Sequence, residues 1–198
     1  MLQRKDVVVF DFDGTLSASD SNYEFFKYCF KHSLRPWLFL PCIIAGQIAK
    51  TFNPYGLWWR QTIRCFMTPK MVEKFADKCI KQHRKRRFPG AKALVDRERK
   101  RGNKVVLVSA GPDFLIPELV SDIKFDAVIC SQMRAEKPYK YKFLCWGRNK
   151  VIALDRWARY NKYIPNVVRS YADSKSDTPL MEIAKERIWI NPRTGKRK

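Results

Sequence analysis

Histidine is scarce in this chain: His32 and His83 are the only two among 198 residues. Neither lies near a cysteine pair, and no two of the six cysteines (Cys29, Cys42, Cys65, Cys79, Cys130, Cys145) share a CxxC spacing. This excludes a zinc site of the usual cysteine and histidine kind. The cysteines read instead as reduced core thiols of a cytoplasmic chain. Acidic residues are also few, with 19 Asp and Glu against 40 Lys and Arg and a formal net charge of +21. Such an excess points to a polyanionic partner, either nucleic acid or an anionic membrane surface. There is no internal repeat and no low-complexity segment. The apolar run VVVF near the N-terminus is too short for a signal peptide, and carboxylates follow it at once. The uncharged stretch PWLFLPCIIAGQIA, residues 36–49, falls short of the roughly 20 residues of a spanning helix, and Pro41, Gly46 and Gln47 interrupt it. It reads either as a helix buried in a lid or as a segment lying in a membrane interface.

The chain does contain five short apolar runs with strand character. Residues 6–12 are rich in β-branched and aromatic side chains with almost no polar alternation, which suits a central strand covered on both faces. KVVLVSAG (104–111), FDAVICS (125–131), VVRSYADS (167–174) and RIWIN (187–191) have the same form. Helical patterns lie between them. GAKALVDRERKRG (90–102) carries Ala91, Leu94 and Val95 on one face and ends at Gly102, and RNKVIALDRWARYN (148–161) repeats Val151, Leu154 and Trp157. In PDFLIPELVSDI, Pro117 argues for a short or broken helix. Strands alternating with helices predict a parallel sheet with right-handed crossovers. Residues 17–88 break the alternation, reading as successive helices divided by Pro36, NPYG and TPK. SQMRAEKPYKYKFLCWGRN (131–149) reads as a hairpin or extended excursion, and the tail NPRTGKRK as mobile.

Functional groups in such a sheet gather beyond the carboxyl ends of the strands. There the sequence places Asp11 and Asp13, Ser109 and Asp173, with Asp177 four residues on and Lys150 at the start of a helix. A cluster of carboxylates repels itself unless a cation neutralises it, and oxygen-only ligands select a hard ion such as Mg²⁺. One further carboxylate can then act as a nucleophile and a second as an acid and base. A lysine and a serine can stabilise charge on a transferring phosphoryl group.

DFDGTL, then VSAG, then the lysine of RNK, then DSKSD resemble, in that order, the four-motif signature of the haloacid dehalogenase-like superfamily. The helical insertion after the first motif resembles its phosphoserine-phosphatase-like branch. The resemblance covers essentially the whole chain. It implies an α/β fold, with a Rossmann-like parallel-sheet core (1–16 and 89–198) and a small all-helical cap (17–88). It also implies a Mg²⁺-dependent phosphomonoester hydrolase working through an aspartyl-phosphate. Asp11 would be the nucleophile and a metal ligand. Asp13 would be the acid and base, its carbonyl also reaching the metal. Gly14 and Thr15 would shape the loop under the phosphate. Ser109, Ala110, Gly111 and Lys150 would bind the phosphoryl group, and Asp173 and Asp177 would hold the metal. For Asp177, capping the PLMEIAKE helix is the alternative.

The leaving alcohol is a matter for the cap. Asp20 with Arg60 or Arg64 matches the acidic residue and arginine that phosphoserine phosphatases use there. The apolar cap, with Trp37, Phe39, Trp58 and Trp59, together with DSKSDTPL and WINPRTG, more closely resembles bacterial phosphatidylglycerophosphate phosphatases of this superfamily. Tryptophans favour the headgroup level, and a basic chain is drawn to anionic lipid. Three readings therefore stand. The first is hydrolysis of an anionic lipid phosphate on the inner face of the membrane. The second is a soluble phosphatase for a small metabolite such as phosphoserine. The third is a basic nucleic-acid-binding protein on a phosphatase fold. The intact motif set argues against this third reading.

Overall fold

The computed structural model describes residues 3–52, 64–134 and 140–198. Strand β1, Gln3–Phe10, ends in Val7, Val8, Val9 and Phe10, all fully buried. Such a run must be covered on both faces, and it lies at the centre of a six-stranded sheet. β2 (Lys104–Pro112) and β5 (Tyr163–Ala172) flank it; β3 (Ala127–Arg134) and β4 (Lys140–Phe143) extend one side, and β6 (Glu186–Trp189) the other, in the order β4-β3-β2-β1-β5-β6. All pairings are parallel except β3 with β4, which run antiparallel where the sequence reads as a hairpin or extended excursion.

Side chains alternate between two cores, as the strand period of two requires. Val8 and Phe10 join Val105 and Leu107 on one face. Val7 and Val9 join Val106 and Val108 on the other. Burying a side chain such as Phe10 contributes about 1.5–3 kcal/mol. On the first face pack α1 (Ser21–His32), α4 (Pro69–Arg84) and α5 (Ala91–Lys100) through Phe25, Phe75 and Val95. On the second pack α7 (Arg148–Tyr160) and α8 (Thr178–Glu182) through Leu154 and Leu180. The helix expected near Pro117 is a single turn, α6 (Ile116–Leu119).

Between α1 and α4 come the one-turn α2 (Arg35–Leu38) and α3 (Leu40–Phe52). Asp20 caps α1 by accepting from Tyr23 N, and Thr68 caps α4 by accepting from Met71 N with Pro69 following, the pattern expected at helix starts. The 36–49 stretch is helical, and much of its apolar surface faces outward: Trp37 is 55% exposed, Ile44 50% and Ile48 57%. Phe39 is half-buried against the first core. No described helix is long and apolar enough to cross a membrane. Trp58, Trp59 and Arg60 lie outside the described residues.

Two expectations are corrected. The cysteines are all free, but not all are core thiols, since Cys42 is exposed while Cys29, Cys79 and Cys145 are buried. The tail is ordered: Asn191 N donates to Lys196 O (2.8 Å) and Lys198 N to Trp189 O (2.8 Å), closing a hairpin on the end of β6. Gly195 (φ +70°) turns that hairpin against the ring of Phe88, where a Cβ would sit 2.5 Å from ring carbon. Its anchor lies about a hundred residues away in the chain, so local composition gave no sign of it.

Candidate active site

The ladder between β1 and β5 sets the site. Phe10 pairs with Tyr171, and Asp11 N still donates to Tyr171 O at 2.9 Å. Asp11 is thus the last residue held by the sheet, and Asp173 leaves the neighbouring strand beside it. The chain then turns sharply. The amides of Leu16 and Ser17 donate to Phe12 O (2.9 and 3.1 Å), and Gly14 takes φ +76°. A Cβ on Gly14 would lie 2.3 Å from Asp173 Oδ2. Only glycine lets the loop and that carboxylate approach so closely.

Lys150, in the first turn of α7, reaches back under the strand ends. Its Nζ donates to Asp11 Oδ1 at 2.7 Å and to Asp177 Oδ1 at 2.5 Å, and its side chain is 2% exposed. Asp177 stands at the N-cap of α8 but makes no capping bond, so its carboxylate serves the site and not the helix. Asp13 points the other way. Its Oδ1 accepts from Ser21 N and its Oδ2 from Ser21 Oγ, both at 2.8 Å, at the start of α1.

Electrostatics follow from burial. Desolvation raises Asp11 to about 7, outweighing Lys150, with Asp177 and Asp173 adding to the rise. Burial, then Asp20 and Asp11, push Asp13 well above the usual carboxylate range against the bonds from Ser21. Asp173 is raised by burial and then by Asp177. Burial works against the charge of Lys150, but Asp11 and Asp177 outweigh it and hold its pKa above the ordinary lysine value.

Asp11, Asp173 and Asp177 each offer an oxygen within 4.8 Å of the others. Three crowded carboxylates, of which Asp11 and Asp173 are both raised by burial and by Asp177, form a hard-donor set short of positive charge. These residues fit a divalent cation such as Mg²⁺.

A cavity of about 310 Å³ opens over these groups, lined by Asp11, Asp13, Gly14, Ala110, Lys150, Asp173 and Asp177. Asp20 also lines it. Other residues expected at the site stand behind it. Ser109 is fully buried and its Oγ accepts from Gly111 N at 3.0 Å. Gly111 packs tightly, a Cβ there meeting Ile116 at 2.5 Å and Ser21 Oγ at 2.7 Å. Thr15 is buried with its Oγ1 unpartnered, and does not line the cavity. Arg64 is 1% exposed and does not line it either. Its Nη2 donates to Asn22 Oδ1, and its guanidinium lies 4.5 Å from the ring centre of Tyr141 and 5.4 Å from that of Phe26. Arg60 falls outside the described residues.

Sequence reasoning missed Asn22, Trp146 and Pro192, all of which line the cavity. Pro192 arrives there on the C-terminal hairpin, whose Lys198 Nζ donates to Asp173 O at 2.9 Å. Asn22 looks like an ordinary first-turn residue, and the only clue to it was the candidate arginine 42 positions later.

The model of a family described as haloacid dehalogenase-like hydrolase matches residues 8–182. No curated protein sequence matches the chain. Among solved structures, the chain resembles a protein of unknown function from Bordetella pertussis Tohama I (18% identity, 96% of this chain and 92% of that one, TM-score 0.72). It also resembles a phosphoserine phosphatase in a phospho-aspartyl intermediate analogue (16%, 95% and 87%, 0.69). A third is a phosphoserine phosphohydrolase-like protein from Francisella tularensis subsp. tularensis SCHU S4 (18%, 96% and 90%, 0.65). At such identities the likeness is one of fold.

Proposed function

Because the chain belongs to the haloacid dehalogenase-like hydrolase family, we propose that it hydrolyses phosphate monoesters through an aspartyl-phosphate on Asp11. The observation that carries this reading is Lys150 Nζ 2.7 Å from Asp11 Oδ1 at the floor of an open acidic cavity. A carboxylate so held keeps one oxygen fixed and leaves the other for attack. Asp11 bonds to phosphorus as the bond to the leaving oxygen breaks. Asp13, whose raised pKa favours the protonated form, gives its proton to the departing alkoxide. Asp13 then takes a proton from water, the water oxygen bonds to phosphorus, and the bond to Asp11 breaks, releasing phosphate. Lys150 offsets charge on the phosphoryl oxygens, and Ala110 lines the same cavity. Ser109 holds the β2 turn through Gly111. Asp11, Asp173 and Asp177 would hold Mg²⁺, with the Asp13 carbonyl, and the bound ion would neutralise the phosphoryl group as it transfers.

The substrate is an anionic lipid phosphate such as phosphatidylglycerophosphate, met at an anionic membrane surface on the cytoplasmic side. Residues 17–88 act as the cap that meets it. This is supported by the exposed Leu34, Trp37, Leu38, Ile44, Ile48 and Phe52, a concentration of apolar surface in one part of a chain of net charge +21. Large exposed apolar patches mark interaction surfaces, and basic residues near one add attraction to anionic lipid. A soluble phosphatase for a small metabolite is the second reading, favoured by Asp20 in the cavity wall. Hydrolysis assays on phosphatidylglycerophosphate in anionic vesicles and on phosphoserine, paired with vesicle flotation, separate the two. Turnover of the lipid with flotation supports the first reading. Turnover of phosphoserine by protein that stays off vesicles supports the second.

A further inference from the structure

Arg64 is the one arginine among the described candidates for substrate contact, yet it is buried and does not line the cavity. It is buried between Phe26 of α1 and Tyr141 of β4, and its Nη1 lies 3.5 Å from Met67 Sδ. Its polar contact toward the cavity is Asn22 Oδ1. Arginine has donors only, so the Asn22 amide must present its oxygen to Arg64. That fixes the orientation of the amide and leaves the Nδ2 hydrogens for the cavity that Asn22 lines.

The surroundings determine what such a donor can meet. Asp11, Asp13, Asp20, Asp173 and Asp177 line the cavity against one lysine among the described residues, and Lys150 Nζ is already shared by Asp11 and Asp177. A carboxylate on the leaving alcohol would find like charge there and no free cation among those wall residues. A hydroxyl meets no such cost. It can accept from Asn22 Nδ2, and its own proton can go to a carboxylate or to Ser19, Ser174 or Ser176 on the same wall. We propose that Asn22, oriented by the buried Arg64, is a specificity-determining residue that donates to a hydroxyl of the leaving group, so that the site selects phosphate esters of polyols. This rests on the phosphomonoesterase reading and narrows it. Arg64 is a positioning residue that acts through Asn22.

The test compares kcat/KM for glycerol 1-phosphate, propyl phosphate and phosphoserine, with p-nitrophenyl phosphate as a general substrate. The first two share a carbon skeleton and differ in hydroxyls. Wild type should prefer glycerol 1-phosphate over propyl phosphate by about tenfold, the scale of one neutral hydrogen bond whose loss leaves a donor unpaired, and should turn over phosphoserine more slowly. Asn22→Leu keeps the size, removes the donor and adds no acceptor for the hydroxyl proton, and should bring the ratio close to one. Arg64→Lys, which lacks the planar fork, should lower the ratio by a few fold, mainly through KM for glycerol 1-phosphate. If the wild-type ratio is near one, or Asn22→Leu lowers both esters by the same factor, the assignment of Asn22 is wrong while the hydrolase reading stands. If wild type cleaves none of the four esters and no phosphatidylglycerophosphate in anionic vesicles, the hydrolase reading falls and this inference with it. If it cleaves the lipid alone, a single hydroxyl contact from Asn22 does not select the substrate and the inference is wrong. Asn22→Ala gives the same comparison should Asn22→Leu not fold.

Discussion

Lys150 Nζ lies 2.7 Å from Asp11 Oδ1, although 139 positions separate the two residues. The contact joins the end of the first strand to the helix laid on the sheet face that Val7 and Val9 share, and both side chains are buried there. Replacing Lys150 by Met should leave two buried carboxylates without their cation. Breaking such a pair typically costs about 3–5 kcal/mol. Thermal melting of metal-free protein should show a large drop, and steady-state assays a loss of about 10²-fold or more in kcat. A variant that melts and turns over like wild type would remove Lys150 from the site.

Metal binding should depend on pH with a definite sign. Ligating carboxylates must be ionised, and Asp11 is raised to about 7 while Asp173 is raised as well. Calorimetry should therefore find Mg²⁺ binding tightening, with proton release, as pH rises toward 7 and levelling above it. Chelators should abolish turnover and Mg²⁺ restore it. The same shifts set the stability of the metal-free protein. A carboxyl whose folded pKa exceeds its unfolded value of 3.8 stabilises the fold below that value, and the benefit is lost as pH rises to the folded pKa. Melting temperature of metal-free protein should accordingly fall between about pH 4 and pH 7. Saturating Mg²⁺ should flatten that fall.

Gly14→Ala tests the loop under the site. The residue sits at φ +76°, and a Cβ would lie 2.3 Å from Asp173 Oδ2. The backbone strain alone costs about 1 kcal/mol, and Asp173 must also shift. A modest loss of melting temperature with a much larger loss of Mg²⁺ affinity is expected. A loss of stability with unchanged Mg²⁺ affinity would take Asp173 out of the metal set.

The sheet was legible because its central strands are continuous β-branched runs, and Val7 to Phe10 can be buried only between two layers. The acidic site was legible for the same reason, since Asp11 and Asp173 end two such runs. What could not be read lies in contacts between distant segments. Arg64 reads as a substrate arginine from its place in the cap, but aromatic rings on α1 and β4 capture it and point it at Asn22. The tail reads as mobile because NPRTGKRK is polar. It folds because Trp189 supplies an edge to pair with and Phe88 a ring to pack on. The 36–49 stretch is apolar enough for either of its readings, and only its neighbours could show that Trp37, Ile44 and Ile48 face outward.

The most direct test of the covalent pathway is to quench turnover in acid and locate phosphate by peptide mass spectrometry. Phosphate is expected on the peptide carrying Asp11, within the VVVFDFDGTL stretch, in wild type. It should be absent from Asp11→Asn, which should also have lost turnover. Full turnover by Asp11→Asn, with no phosphorylated peptide in wild type at any quench time, would contradict an aspartyl-phosphate on Asp11.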